Sequence, residues 1–256
     1  MEDLLIFDFK ADTSELDIPS TLNNPFGKII PEIARIAAEE FQIFVALESL
    51  HWKYDFRTRQ GKMFGVLVVQ REDKTYGYLG TVSGKLPGNE DYDKFVPSIF
   101  DETMDDNYFG RGMTELTEIG SQIQKSNNSL EIKALKSQRS ERSKGLQKWL
   151  FENYNFLNLS GELKNLLDIF EDSSHGNPPA AAGECAAPKL LQYAIAHHLK
   201  PVALAEFWWG NSIKNNDREH KVFYSACKEK CRPILEYILE DSELYNNRAY
   251  GAEVDA

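Results

Sequence analysis

The stretch that most constrains the fold runs from residue 178 to residue 239, where two helix starts flank one apolar strand. The first helix is predicted to begin at Cys185 and the second at the Cys227–Cys231 pair. Between them, residues 202–209 have the sequence VALAEFWW, whose length and composition are typical of a buried strand. These three cysteines are the only ones in the chain. Helix N-termini favour thiolates, so this arrangement is suited to holding one soft metal ion.

The remaining α/β pattern precedes this stretch. Apolar residues recur at helical spacing from Pro31 to about His51, and proline is common at the first position of a helix. Residues 62–70 and 75–83 are apolar, glycine-containing segments separated by a polar turn, which predicts a β-hairpin. Without the middle of the chain, the order is helix, strand, strand, helix, strand, helix. This order predicts a fold of the α/β class.

The middle of the chain is predicted to be a helical insertion. Residues 113–156 are polar and helical in pattern, with a break around residues 126–129 that suggests a helical hairpin. The sequence therefore predicts four parts: an extended lead-in (1–25), one α/β domain (26–111 together with 177–239), the helical insertion (112–176) and an acidic tail (240–256).

The charge distribution bears on nucleic-acid binding in two opposite ways. A net charge of −11 over 256 residues argues against autonomous binding, which usually requires a basic footprint. One segment nevertheless holds six basic residues and one acid: Lys133, Lys136, Arg139, Arg142, Lys144 and Lys148, with Glu141. This segment predicts either a local face that contacts phosphates or a solvated helix surface.

The cellular location is also constrained by the sequence. No apolar run reaches the roughly 18 residues of a membrane span, and the N-terminus opens with acidic residues rather than with the basic and apolar regions of a secretory signal. Three cysteines are an odd number, which argues against a disulfide framework and for a reducing compartment. We therefore expect a cytoplasmic protein with no membrane partner.

Two interpretations of the cysteines remain open at this point. The first is a zinc site, since structural zinc takes about four nitrogen or sulfur ligands and catalytic zinc takes about three plus a water molecule. His220 and His175 are nearby in sequence and are candidates for a fourth ligand. The second interpretation is that Cys185, Cys227 and Cys231 are core residues, because CxxxC is less diagnostic of a metal site than CxxC and free cysteine often packs as a small apolar residue.

Several other residues near the cysteines are candidate contacts to a substrate or to RNA. Trp208 and Trp209 could stack on a base, or could belong to the core at the end of the strand. Glu206 lies among apolar neighbours and needs a partner, for which Lys189, Arg218 and Arg232 are candidates. For each of these residues a purely structural role is the alternative.

The order of elements resembles the core of the zinc-dependent nucleoside and nucleobase deaminases. The resemblance implies a three-layer core and the zinc ligands Cys185, Cys227 and Cys231. In that family a glutamate follows the first ligand by two positions, and Ala187 occupies this position here. A zinc-bound hydroxide needs a general acid/base to move protons, and Glu184 or Glu206 would have to replace the missing glutamate. The resemblance therefore implies the fold more strongly than the activity.

A second resemblance extends from about residue 25 to about residue 239. The segments GKMFGVLVV, GYLGTVSGKL, PPAAAGECAAPKLLQYA, LKPVALAEFWWG and FYSACKEKCRPIL are similar to the N-terminal extension of a subgroup of bacterial RluA-type pseudouridine synthases. Those enzymes isomerise uridine in ribosomal or transfer RNA. Their catalytic domain follows the extension and carries an HRLDxxTSG-like sequence, and no such sequence occurs in this chain.

The second resemblance implies an accessory function for this chain, whether it is a fragment or a stand-alone protein. It would help a pseudouridine synthase catalytic domain to bind or position RNA, without catalysis of its own. The basic segment around Lys133, Lys136, Arg139 and Arg142 would contact phosphates, and the aromatic strand end would contact a base. Two alternatives remain: a zinc-dependent enzyme acting on a nucleoside-type molecule, and a protein-interaction module that docks through the charged helix.

Overall fold

The structure is a computed structural model that describes residues 4–52, 54–56, 58–86, 94–100, 108–171, 173, 176–212 and 218–240. The described residues form a mixed α/β fold with six helices and a four-stranded antiparallel sheet. The α/β class predicted from the sequence is confirmed. Of the predicted acidic tail, residues 241–256 lie outside the described part of the chain.

The elements follow one another in an order close to that predicted. The helices are α1 (Glu32–Glu48), α2 (Tyr108–Lys125), α3 (Ser129–Asn153), α4 (Leu166–Glu171), α5 (Ala186–Ala196) and α6 (Arg232–Ile238). The strands are β1 (Lys62–Gln70), β2 (Tyr76–Val82), β3 (Asn155–Leu157), β4 (Leu163–Asn165), β5 (Lys200–Trp209) and β6 (Phe223–Tyr224). The main sheet has the order β2–β1–β5–β6, and β3 and β4 form a separate ribbon.

Helices cover both faces of the main sheet. Helix α1 packs on one face through side chains such as Phe41 and Val45, which are fully buried with Phe64 of β1. Helix α5 packs on the opposite face through Leu190 and Leu191, in a second buried cluster that also contains residues of α4 and α6. Because both faces of the sheet are covered, β1 and β5 are apolar along most of their length and do not alternate between apolar and polar residues.

Gly65 of β1 allows α5 to lie unusually close to the sheet. A Cβ atom at this position would lie 2.8 Å from the Cβ of Ala186 and 3.2 Å from Cδ1 of Leu190. The contact with Ala186 cannot be relieved by a flexible side-chain end, because the Cβ of Ala186 is fixed to the backbone of the first turn of α5. The absence of a side chain at Gly65 therefore fixes the distance between this first turn and strand β1.

We expect Gly65→Ala to lower the free energy of unfolding by about 1–3 kcal/mol, because the added methyl group overpacks the contact with α5. The matched control is Gly145→Ala in α3, where an added Cβ meets no atom within 4 Å. The control should stabilise the protein by up to about 1 kcal/mol through helix propensity. Urea denaturation of the two variants measures both effects. If Gly65→Ala were as stable as wild type, the close contact between Gly65 and the first turn of α5 would be contradicted.

Helices α2 and α3 form the predicted helical hairpin. Their connection is residues 126–128, where the break was predicted, and the side chain of Asn128 caps α3 by accepting the backbone N–H of Leu130 at 3.0 Å. The two helices touch closely where Gly112 meets the side chain of Leu146. With 25 residues, α3 is about 37 Å long. Neither α3 nor any other described helix combines the length and the hydropathy that a membrane span needs.

The predicted extended lead-in lies along the sheet. Residues 4–31 contain no helix or strand, apart from a single bridge between Phe7 and Tyr78 of β2. The side chain of Asn23 satisfies backbone groups at the edge of β5. It donates to the carbonyl of Leu204 at 3.0 Å and accepts the N–H of Leu204 at 2.7 Å. The lead-in therefore protects an edge strand that β6 is too short to cover.

Candidate metal centre

The three cysteines meet at the N-termini of α5 and α6, on the face of the sheet that α5 covers. Cys185 is the N-cap residue of α5, as the sequence predicted, and Cys231 is the N-cap residue of α6. Cys227 lies one turn earlier, and its carbonyl accepts the N–H of Cys231 at 3.3 Å. Two helix starts that are distant in sequence therefore present their thiols to one point, which we call the thiol group (Cys185, Cys227 and Cys231).

The second of these helix starts differs from the sequence-based expectation. A helix was predicted to begin at Cys227, but residues 228–231 form a turn and α6 begins at Arg232. The physical reason is Pro233, which has no N–H to bond the carbonyl four residues earlier and is tolerated in the first turn of a helix but not in its interior. The turn places the sulfur atoms of Cys227 and Cys231 side by side.

The spacing of the sulfur atoms suits a tetrahedral ion. All three lie within 4.8 Å of one another, and those of Cys227 and Cys231 are 3.3 Å apart. Sulfur atoms around a tetrahedral zinc ion, at Zn–S distances of about 2.3 Å, are separated by about 3.8 Å. Binding would require relative sulfur movements of only about 1 Å or less. The donor set also fits zinc, because thiolates are among its preferred protein ligands.

The thiols share their protons unequally. Hydrogen bonds from Cys185 and Cys231 hold the pKa of Cys227 well below the ordinary value of a thiol. The same hydrogen-bonding raises the pKa of Cys185 and Cys231, and burial adds to both increases. The three thiols therefore differ in acidity, and a bound cation would displace the protons that they still hold.

A buried carboxyl group lies beside the thiol group. Glu206 of β5 is 6% exposed, and its Oε1 accepts the backbone N–H of Ala187 at 3.1 Å, within the first turn of α5. Burial raises the pKa of Glu206 to about 7, against the opposing effect of this hydrogen bond, and the negative charge of Cys227 raises it further. Glu206 in turn raises the pKa of Cys185 and Cys231, so its charge acts on the whole thiol group.

The contact between Glu206 and Ala187 was not predicted from the sequence. Ala187 occupies the position of the glutamate in the deaminase resemblance, and the carboxylate that reaches this backbone position comes instead from strand β5. The local signal was an acid in an apolar strand, but only the packing of α5 on β5 shows where the carboxylate points.

His220 does not join the thiol group. Its Nδ1 accepts the backbone N–H of Gly210 at 3.0 Å, and its ring packs against Trp209 with centroids 4.3 Å apart. The ring lines a cavity of about 520 Å³ together with residues of the α1 side, including Trp52 and Leu50. The chain turns back after β5, which places His220 beside the end of the strand and away from the cysteines. His175, the other proposed ligand, lies outside the described residues.

The two tryptophans are structural residues of β5. Trp208 and Trp209 are only 4% and 7% exposed, so both rings lie mostly in the interior. Nε1 of Trp208 donates to the carbonyl of Asn211 at 3.2 Å, and Gly61 packs directly against the ring. Trp209 belongs to the buried cluster on the α1 side. This burial fits the interpretation of the two tryptophans as core residues at the end of the strand.

Lys189, Arg218 and Arg232 do not form ion pairs with Glu206 among the described residues; NH1 of Arg232 lies 3.9 Å from Oε1 of Glu236 instead. Lys189 is 3% exposed, and its Nζ donates to the carbonyl of Gly84 at 3.4 Å; burial lowers the pKa of Lys189 to about 8. The guanidinium group of Arg218 lies 5.5 Å from the ring centroid of Trp208 and 5.0 Å from that of Tyr224. Arg218 lowers the pKa of Glu206 only as a nearby charge. The partner of Glu206 is therefore a backbone N–H.

The basic residues of α3 divide between two sides of the helix. Arg142 faces α2, where its Nε donates to Glu115 at 2.6 Å and its NH1 donates to Tyr108 at 3.2 Å. Arg139 also lies toward α2, beside Gly120. Four exposed lysines occupy an arc of about 120° on the opposite, solvent side, at about 100° per residue. We call them the outer lysine face: Lys133, Lys136, Lys144 and Lys148.

Comparison of the chain with protein-family models, with curated proteins and with solved structures finds no match in any of the three.

Proposed function

We propose that this chain is a zinc-binding accessory domain of an RNA-modifying enzyme of the RluA pseudouridine synthase type, without uridine isomerisation of its own. The zinc part is supported by one observation above all, the convergence of three sulfur atoms within 4.8 Å at the N-termini of α5 and α6. Zinc bound there would tie the two helix starts together. Elemental analysis of the purified chain, beside a variant in which all three cysteines are serine, tests this part of the proposal.

We also propose that the α/β core has the deaminase-like arrangement. Its support is the placement of α1 on one sheet face and of α5 and α6 on the other, with a thiol at the start of each of the latter two helices. The β1–β2 hairpin and β5 lie between these layers. A crystal structure of the chain tests this arrangement through the superposition of its core on those enzymes.

The RNA-binding part of the proposal is supported by the outer lysine face. Its four lysines are exposed and point away from α2, and among the described residues Lys148 alone of the four forms an ion pair, with Nζ 3.6 Å from Glu152. An array of lysines along a helix can contact successive phosphates, and such contacts do not require a net basic protein. The two arginines of the segment, Arg139 and Arg142, instead contribute to the α2–α3 contact.

Neutralising the outer lysine face to glutamine should weaken binding of a ribosomal or transfer RNA fragment at least about tenfold at low salt. It should also reduce the salt slope of log K by about 0.7–0.9 for each phosphate contact that is lost. The control neutralises four exposed lysines outside α3: Lys10, Lys28, Lys74 and Lys200. Fluorescence anisotropy at several salt concentrations measures both effects. Equal losses in the two variants would contradict a role for this face.

A second candidate function is hydrolysis of a nucleoside-type molecule at the metal. The buried carboxyl group of Glu206 beside the thiol group favours it, because three protein ligands and a nearby acid/base are the composition of many catalytic zinc sites. Ammonia release from a panel of nucleosides by the zinc-loaded chain, lost in Glu206→Gln, would support this function. Turnover identical in Glu206→Gln would contradict it.

A further inference from the structure

We propose that the turn at Gly84 binds the oxyanion head group of a small amphiphilic ligand between the ammonium groups of Lys62 and Lys189. The apolar body of this ligand lies in the adjacent cavity, between the α/β core and the helical hairpin of α2 and α3. The class of ligand is a molecule with one negatively charged head group and an apolar chain or ring, of which a medium-chain fatty acid is an example. The site uses neither the thiol group nor the outer lysine face, so it does not depend on the zinc or the RNA proposal.

Lys189 is a buried cation with incomplete hydrogen bonding. It lies near the start of α5 and is 3% exposed. An ammonium group has three N–H donors. Among the described residues, Nζ of Lys189 makes one hydrogen bond, to the carbonyl of Gly84 at 3.4 Å, and no ion pair. A buried charge needs closer partners than this one, so an anionic ligand would supply the acceptors that the described residues do not.

Lys62 brings a second ammonium group to the same turn. It is the first residue of β1, and its Nζ donates to the carbonyl of Lys85 at 3.0 Å. The same Nζ would lie 3.7 Å from a Cβ atom built on Gly84. Lys62 and Lys189 therefore bond successive carbonyl groups of one turn, and both ammonium groups lie beside Gly84.

The charges around Lys189 leave this turn positive. Lys62 and Lys85 act on Lys189 as neighbouring positive charges, while Glu184 and the thiol of Cys185 act in the opposite direction. Three ammonium groups outnumber the one carboxylate and the one thiol, even when that thiol is ionised. An oxyanion between Lys62 and Lys189 would therefore be stabilised by charges that the described residues do not balance.

The backbone of the turn holds its carbonyl groups in place. Gly84 has a φ of +67°, in the left-handed region that favours glycine, and its N–H donates to the carbonyl of Glu184 at 2.7 Å. The N–H of Ser83 donates to the carbonyl of Met63 at 2.8 Å. These bonds tie the turn to β1 and to the start of α5, the two elements that carry the lysines. The two ammonium groups are therefore positioned before a ligand binds.

A cavity of about 460 Å³ adjoins the turn, which is a volume in the range of small-molecule sites. Gly84, Lys85 and Glu184 line the part of the cavity that the turn forms. Apolar side chains of α2 and α3 line much of the remaining wall: Phe109, Met113, Leu116, Leu146, Leu150 and Phe151. Charged groups at one end and apolar groups elsewhere complement a ligand with an anionic head group and an apolar body.

Isothermal titration calorimetry of the full chain at neutral pH tests the site with three probes. Decanoate has both features of the proposed ligand, decyltrimethylammonium has the same chain with a cationic head group, and acetate has the same head group without the chain. Wild type should bind decanoate at least about tenfold more tightly than decyltrimethylammonium, because only the carboxylate can accept from the two lysines. Acetate should bind at least about a hundredfold more weakly than decanoate, because it buries no chain.

Two variants separate the head-group site from the cavity. Lys189→Met removes the charge but keeps an unbranched side chain, and it should weaken decanoate binding about tenfold without weakening that of decyltrimethylammonium. Its control is Lys200→Met, at an exposed lysine. Ser143→Phe fills the cavity from α3 and should also weaken decanoate binding about tenfold. Its control is Ser137→Phe, at an exposed position of α3 that does not line the cavity.

Equal affinities of wild type for decanoate and decyltrimethylammonium would overturn the head-group site. Undiminished decanoate binding in Lys189→Met would overturn it as well, and Lys62→Met replaces this variant if circular dichroism shows that Lys189→Met does not fold. Acetate binding as tight as that of decanoate, or decanoate binding that Ser143→Phe leaves unchanged, would contradict the place of the apolar body in the cavity. A wild-type chain that does not bind decanoate would refute the whole proposal.

Discussion

Replacement of Cys231 by serine is expected to remove the bound zinc and to lower the free energy of unfolding by about 4 kcal/mol when free zinc exceeds its dissociation constant about a thousandfold. Cys231 is 1% exposed, and its sulfur is 3.3 Å from that of Cys227, so its loss removes one of three ligands from the thiol group. A serine hydroxyl is a poor zinc ligand at neutral pH. Urea denaturation in zinc-containing buffer measures the change.

A chelator provides the control for this first prediction. With the metal removed, wild type and Cys231→Ser should differ by only about 1 kcal/mol, the cost of a polar group at a buried apolar site. This result would mean that the thiol group stabilises the fold by binding the metal and not by packing in the core. If Cys231→Ser were equally destabilised with and without chelator, the cysteines would be core residues and the zinc centre would be refuted.

In the metal-free protein, the ionisation of Glu206 should lower the free energy of unfolding by about 3 kcal/mol. The loss should occur as the pH rises from the pKa of an ordinary glutamate to the pKa of Glu206 in the folded chain. Burial raises the pKa of Glu206 from 4.5 to about 7. Between these pH values the folded chain still holds the proton that the unfolded chain has released. The contribution to stability is therefore fully present below pH 4.5 and is lost as the pH rises through about 7.

Chemical denaturation across this pH range, in chelator, measures the effect as a difference between wild type and Glu206→Gln. The glutamine side chain can still accept the N–H of Ala187 but cannot lose a proton. The free energy of unfolding of the variant should therefore rise relative to that of wild type as the pH increases from 4.5 to about 7. The exposed Glu236→Gln should follow wild type throughout. Parallel profiles for wild type and Glu206→Gln would mean that the carboxyl group of Glu206 is not buried in the folded chain.

Local patterns in the sequence were sufficient for the elements of the sheet. Strand β1 spans the predicted residues 62–70, because an apolar run followed by a polar turn leaves few other conformations, and β2 and α5 begin within one residue of their predicted starts. The start of α6 was predicted wrongly, because the helix was expected to begin at the Cys227–Cys231 pair, whereas Pro233 is tolerated only in the first turn and the helix begins at Arg232.

The candidate site could be predicted only in part, because local sequence patterns do not show how distant segments pack together. Three cysteines at two helix starts indicated a shared location, and the structure brings their sulfur atoms together. The burial of Trp208, the direction of Arg142 toward Glu115 and the contact of Glu206 with Ala187 depend on packing between distant segments. No local pattern contains that information, so each of these residues had both a structural and a functional interpretation in the sequence.

The most direct test of the central claim is X-ray absorption at the zinc edge of the purified chain, with the variant lacking all three cysteines as control. The zinc centre predicts one zinc ion per chain, with about three sulfur neighbours at about 2.3 Å and one lighter neighbour at about 2.0–2.2 Å. The control should contain no zinc. A wild-type chain without zinc, or one whose zinc has only oxygen and nitrogen neighbours, would contradict the assignment of Cys185, Cys227 and Cys231 as its ligands.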